Sequence, residues 1–158
     1  MMLFVLNLIM ALLWLFLGGS GSVVSFGVGY LMGFSFLWLF QSVLPDTGYL
    51  RRSVALVRFL GAFAREFLIS NWVMARAVLF GRQQDLYPNL LTYDVSGLTP
   101  FEILVLSHCI TLTPGTTTVG VSEDWSRLTL HAFDARDPAQ VRASIDRSLR
   151  APLLAFTR

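Results

Sequence analysis

The sequence predicts a membrane α protein joined to a small α+β domain: an N-terminal transmembrane helical hairpin, a long arginine-striped amphipathic helix, and a C-terminal β-α-β-β-α unit with the order of a ferredoxin-like split motif. Three observations predict it. Met1 to Pro45 contains no Asp, Glu, Lys or Arg, and water tolerates so long an apolar segment poorly. Arg51, Arg58, Arg65 and Arg76 then recur at helical spacing through an otherwise apolar stretch. Finally, strand-like alternation and helix-start signals replace the apolar runs. The expected boundaries are a hairpin at 1–45, a long helix at 46–84, a small domain at 85–152 and a tail at 153–158.

In the hairpin, Met2 to Leu17 is a short apolar run of about 16 residues, and Val23 to Leu44 a longer one of about 22, enough to cross a hydrocarbon layer with some tilt. Gly18, Gly19, Ser20, Gly21 and Ser22 make the turn between them. No positive charge precedes the first run and a second run follows at once, which disfavours a cleaved secretory signal. Arg51 and Arg52 flank the second helix, so the positive-inside rule places them, the N-terminus and, with two crossings, the C-terminal domain in the cytoplasm.

Ser25, Gly29 and Gly33 recur every four residues and give the second helix one face of small side chains, where another helix approaches closely. That helix belongs either to this hairpin or to a partner subunit, since spacing alone does not say which. Asn7, the one strongly polar side chain in the first run, is expected to make an interhelical hydrogen bond.

From Leu50 to Gly81 a single long helix is expected. Its arginines fall on one narrow stripe at 100° per residue. If this helix crossed the bilayer, Arg65 would sit near the midplane at a cost on the order of 3 kcal/mol or more. Along the cytoplasmic interface every arginine reaches water, anionic headgroups or an acidic partner, while Phe59, Phe63, Phe67, Trp72 and Leu79 stay covered. The in-plane placement is therefore expected. The alternative is a third transmembrane helix, in which Glu66 beside Arg65 becomes a weak ion-relay candidate.

In the small domain a strand is expected from Leu86 to Val95. A helix from about Pro100 to Leu112 is opened by Thr99, Pro100 and Glu102. It has apolar groups on two sides, Ile103, Leu106 and Ile110 on one and Phe101, Val105, Cys109 and Leu112 on the other, so it needs two covers. Two alternating strands flank a turn at Glu123 to Ser126. Asp137, Pro138 and Gln140 start a final helix faced by Val141, Ile145 and Leu149.

Chemistry is hard to find. In Thr113, Pro114, Gly115 and Thr116 the order is helix, loop, strand, and there is no lysine. A phosphate cradle needs strand, loop, helix, so the run reads as a helix stop. His108 and Cys109 point about 100° apart on a helix and have no further ligands in view. Glu123 and Asp124 read as a solvated turn, and His131 as an outward strand residue. One cysteine excludes an internal disulfide. With a net charge of +2 and no basic run interleaved with aromatics, nucleic-acid binding is disfavoured. No catalytic residue, cofactor or metal is expected.

The stretches "LNLIMALLWLFLGG" and "ITLTPGTTTVGVSEDWSRLTLHAFDA", with the arginine-bearing helix between them, resemble the E-type subunit of the Mrp-type multisubunit monovalent cation/proton antiporters. The resemblance covers nearly the whole chain, and the "TLTPGT" run followed by "VSED" is its most specific part. Family members more often carry a leucine and an aspartate where Thr117 and Gly120 stand, so a contact made by that aspartate would be made differently here. The resemblance implies a non-catalytic small subunit that supports assembly and stability in proton-gradient-driven cation efflux, usually of sodium. Its implied partners are the other subunits of the complex, with anionic lipid headgroups at the arginine stripe. The competing reading is a membrane-anchored cytoplasmic binding module with no transport role.

Overall fold

The computed structural model describes residues 2–19, 21–44, 48–81 and 87–158. Ser20 of the expected turn, the 45–47 junction, and the 82–86 connector with Leu86 of the expected first strand lie outside the described residues. The chain divides into two units, Met1–Val54 and Ala55–Arg158.

The first unit is built on two helices, α1 (Met2–Leu17, 16 residues) and α2 (Val23–Leu39, 17 residues), followed by the start of α3 (Gly48–Phe80). Ser22 caps α2 by accepting the amide of Ser25 at 3.1 Å. The second apolar run was expected to be helical to Leu44, but α2 ends at Leu39 and residues 41–43 form turns. The polar pair Gln41 and Ser42 sits at this end, with Pro45 beyond it. At 1.5 Å per residue the two helices measure about 24 and 26 Å, against about 30 Å of hydrocarbon. Among the described residues no helix is long and apolar enough to cross a membrane.

Small residues let these helices meet. Gly29 and Gly33 are buried; a Cβ at Gly29 would lie 2.7 Å from the Cβ of Trp14, and one at Gly33 would collide with Oδ1 of Asn7. Ser25, one turn earlier, is half-buried. Leu3, Leu37 and Leu50 form a small core. Tyr49 meets Phe4 and Phe34 edge-on, with centroids 5.8 and 6.0 Å apart. Outward positions are apolar, including Phe16, Leu17, Val24 and Leu31. Buried Gly, Ala11 and Asn7 beneath an apolar exterior reverse the pattern of a helix pair in water.

The second unit holds the rest of α3, three strands, and the helices that cover them. β1 (Asn89–Asp94), β2 (Thr116–Val121) and β3 (Arg127–Ala132) form a sheet in the order β1-β3-β2, with β3 antiparallel to both neighbours. Leu91 pairs with Leu130 and Tyr93 with Leu128, which sets one buried face. α4 (Pro100–Leu112) covers it through Ile103, Leu106 and Ile110. α5 (Pro138–Ile145) and the helical turns after it add Ile145, Leu149 and Leu153, and α3 adds Phe59 with Phe63 beside it.

Both expected helix starts rest on local hydrogen bonds. Thr99 Oγ1 accepts the Glu102 amide and Glu102 Oε2 accepts the Thr99 amide, a complete capping box ahead of Pro100. Asp137 accepts the amides of Ala139 and Gln140. The β2–β3 turn is held by Asp124, whose carboxylate accepts the hydroxyls of Ser122 and Ser126.

Two expectations change here. The first strand begins at Asn89, directly after Pro88, which has no amide proton to give a ladder. Residues 153–158, expected as a tail, are mostly ordered helix. α5 runs into a π turn at Asp146–Arg150 and then α6 (Ala151–Thr157), and Leu153 is fully buried. Pro152 does not stop the helix, because the amide of Ala151 reaches back to Asp146 O in the wider turn that precedes the proline.

The outer edge of β1 is closed by side chains. Arg142 Nε donates to Thr92 O at 2.8 Å, and an Arg150 amine donates to Asp94 O at 3.2 Å, so carbonyls that would template another strand are occupied.

Candidate functional site

α3 presents Arg51, Arg58, Arg65 and Arg76 as exposed side chains. Trp72 and Leu79 are also exposed and lie on the arginine side of the helix at 100° per residue. Of the five apolar side chains expected to be covered, Phe59 lies in the core of the small domain and Phe63 packs against it, whereas Phe67, Trp72 and Leu79 are exposed, the last two on the arginine side. The reason is that Phe59 and Phe63 lie four residues apart, which forms a separate contact stripe.

The Thr-Pro-Gly-Thr run is built as a helix end. α4 finishes at Leu112, and the Thr113 hydroxyl donates to Cys109 O at 2.8 Å while the Thr116 hydroxyl donates to Ile110 O at 3.0 Å. Carbonyls in the last turn of a helix run out of amide partners further along it, and the threonines supply donors. Gly115 takes φ +101°, and its carbonyl accepts the amide of Phe133 at 2.8 Å, starting the β2–β3 ladder. Thr111 and Thr118 stitch α4 to β2: Thr118 N donates to Thr111 Oγ1 and Thr118 Oγ1 to Ser107 O, both at 3.2 Å.

The same run forms one wall of a groove of about 800 Å³ within the second unit. α3 supplies Glu66, Ile69, Val73 and Met74; the opposite side is α5 and the π turn, through Val141, Ile145 and Leu149. Two of the sequence-derived candidates, Glu66 and the Thr113–Thr116 turn, are far apart in the chain and yet border one space. Asp134, Arg136 and Asp137 stand at its margin. Arg136 pairs with Asp134 and holds its carboxyl below the usual carboxylate range.

Three polar clusters stand apart from the groove, and of these only the interhelical hydrogen bond of Asn7 is expected from the sequence. Asn7 Nδ2 donates to the Tyr49 hydroxyl at 2.9 Å, and Tyr49 and Tyr30 share a hydrogen bond at 2.6 Å; Asn7 Oδ1 is buried without a hydrogen-bond partner among the described residues. The Tyr93 hydroxyl donates to Asp146 at 2.5 Å, and burial followed by this bond pushes the phenol upward. Glu102 is buried, and its Oε1 accepts Thr157 Oγ1 at 2.6 Å and Arg158 Nε at 3.3 Å. Burial opposes its ionisation, yet the bonds from Thr157, the Thr99 backbone and Arg158 prevail and lower the carboxyl to about 2. Nothing in the sequence joins Glu102 to residues 55 and 56 positions away.

The remaining candidates do not converge. His108 is exposed and its Nδ1 lies 2.7 Å from Leu104 O, while Cys109 is buried with its thiol pushed up by desolvation. His131 is exposed on β3. Among the described residues no group of three His, Cys, Asp or Glu side chains is placed to hold a metal ion.

A family model described as a Na+/H+ ion antiporter subunit matches residues 7–156. The Na+/H+ antiporter subunit E1 of Staphylococcus haemolyticus is 32% identical over 130 residues, covering 82% of this chain and 81% of that protein. The E-type subunit of the Na+/H+ antiporter of Bacillus subtilis is 28% identical over 149 residues, covering 92% and 94%. In fold, a chain of the Mrp complex from Dietzia sp. DQ12-45-1b matches with a TM-score of 0.51 at 23% identity, over 65% of this chain and 96% of that one. A chain of an archaeal respiratory membrane complex, the membrane-bound sulfane sulfur reductase, matches at 0.50 and 22% identity, over 85% and 84%.

Proposed function

Because this chain belongs to the Na+/H+ ion antiporter subunit family, we propose that it is the E-type small subunit of a multisubunit monovalent cation/proton antiporter in a bacterial membrane, and that its own task is assembly and stability. The observation that carries the assembly role is the reversed hairpin. α1 and α2 turn Phe, Leu and Val outward, enclose Gly29, Gly33 and Asn7, and hold no carboxylate or cationic side chain that could pass a proton along.

The hairpin packs in the bilayer, its short helices accommodated by local thinning or by neighbouring subunits. The arginine stripe with Trp72 among it suits a helix lying along the cytoplasmic interface, where guanidinium groups meet headgroups and indole rings settle. The small domain then lies in the cytoplasm as a split β-α-β unit, since β1 and β2 run parallel with β3 between them, and it clamps sister subunits. Its unmet apolar surface supports that role: Phe101, Leu104 and Leu112 are exposed on the outer side of α4.

Purification of the tagged chain in mild detergent tests the reading. Co-purification of large membrane subunits in fixed ratio is expected. Recovery of a monodisperse chain alone would overturn it in favour of a membrane-anchored binding module.

A further inference from the structure

We propose that the groove between the C-terminal half of α3 and α5 receives a basic amphipathic helix of a sister subunit. The proposal rests on the assembly reading above and names the chemistry of one contact.

Shape is the first argument. The groove follows α3 from Glu66 to Gly81, about 22 Å at 1.5 Å per residue. A trough about four turns long matches a helix laid along it, the geometry of helix-in-groove recognition. Its floor is apolar on both walls: Ile69 and Val73 on α3, and Val141, Ile145 and Leu149 at successive turns opposite. Ser70, Ser144 and Ser148 keep it open by contributing small side chains.

Charge selects the occupant. Among the described residues, Glu66, Asp134 and Asp137 line the groove against one cation, Arg136, so three minus one leaves a formal excess of two negative charges there. Arg136 is engaged by Asp134 and Asp137 caps α5, so Glu66 is the lining carboxylate placed to meet a partner's arginine or lysine. Anionic lipid is repelled by the same margin, whereas the exposed arginines of α3 attract it. The groove and the stripe therefore take opposite partners.

Site-specific photo-crosslinking in the intact complex, in native membranes, tests this. A benzophenone side chain is placed singly at Ser70 and at Ser144, on opposite walls, and at Val28 in α2 as a reporter of assembly. Adducts from Ser70 and Ser144 to one segment of one sister subunit are expected, with that segment carrying lysine or arginine at helical spacing. Glu66→Lys should lower the Ser144 adduct roughly fivefold, the effect of turning a close attractive pair repulsive. Having positions on two walls preserves the test should one variant fail to fold. Adducts to lipid only, adducts to an acidic segment, or none from either wall while Val28 still crosslinks would overturn the groove proposal and leave assembly standing. No adduct at any of the three positions, with the chain recovered alone, would overturn both.

Discussion

A methyl group at Gly33 would press on Asn7 Oδ1, an atom that already lacks a hydrogen-bond partner among the described residues. Gly33→Ala should therefore cost about 1–3 kcal/mol, the usual penalty of overpacking. Gly27→Ala, where nothing lies within 4 Å of the added carbon, should be neutral or stabilising by up to about 1 kcal/mol through helix propensity. Thermal unfolding of the two variants in detergent separates them. Glu102 makes a second residue-scale prediction. Its carboxyl ordinarily titrates near 4.5 and in the folded chain near 2, so the ionised form is favoured by folding. The stabilisation, on the order of 3 kcal/mol, is fully present above pH 4.5 and is lost as pH falls toward 2. Glu102→Gln should lower stability at neutral pH and flatten its decline across that acid range in the same melts.

At the scale of elements, the threonines around Gly115 hold the end of α4. Thr113→Val and Thr116→Val should each cost about 1 kcal/mol, the net worth of one intramolecular hydrogen bond. The two losses should nearly add, because the hydroxyls serve different carbonyls; denaturant midpoints at constant slope would show it. Elements set by near neighbours were legible in the sequence. Thr99 with Glu102 and Asp137 with its following amides marked helix starts at the right residues, since each cap is closed within three positions. Elements decided at longer range were not. The helix continues through Pro152 by way of a π turn, with Leu149 and Leu153 both buried in the core, and no local pattern announces that turn. The shortening of α2 had a sequence signal in Gln41 and Ser42, whose polarity the apolar average of the run concealed.

For the whole molecule, the succession of two apolar helices, one long helix and a unit with a three-stranded sheet was readable from charge and periodicity, because a segment without a single charge and an arginine every two or three turns are properties of composition. The groove was not readable, since Glu66 and the Thr113–Thr116 turn are brought to one space only by the packing of α3 on the small domain through Phe59 and Phe63. Two measurements belong at this scale. A C-terminal topology reporter should signal the cytoplasm; an external signal would require a third crossing by α3. Glu66→Gln in the assembled complex separates two readings of this carboxylate: weaker association with unaltered exchange per assembled complex is expected of a docking contact, and a loss of exchange with normal assembly would restore it as an ion relay. The closing of Glu102 by Thr157 and Arg158 also orders events in time. A ribosome makes the chain from its N-terminus, so the hairpin can reach the membrane while the acid of α4 still waits for partners 55 and 56 positions behind it. On the proposed assembly role, a chain so made would be anchored before the domain that meets its neighbours is closed.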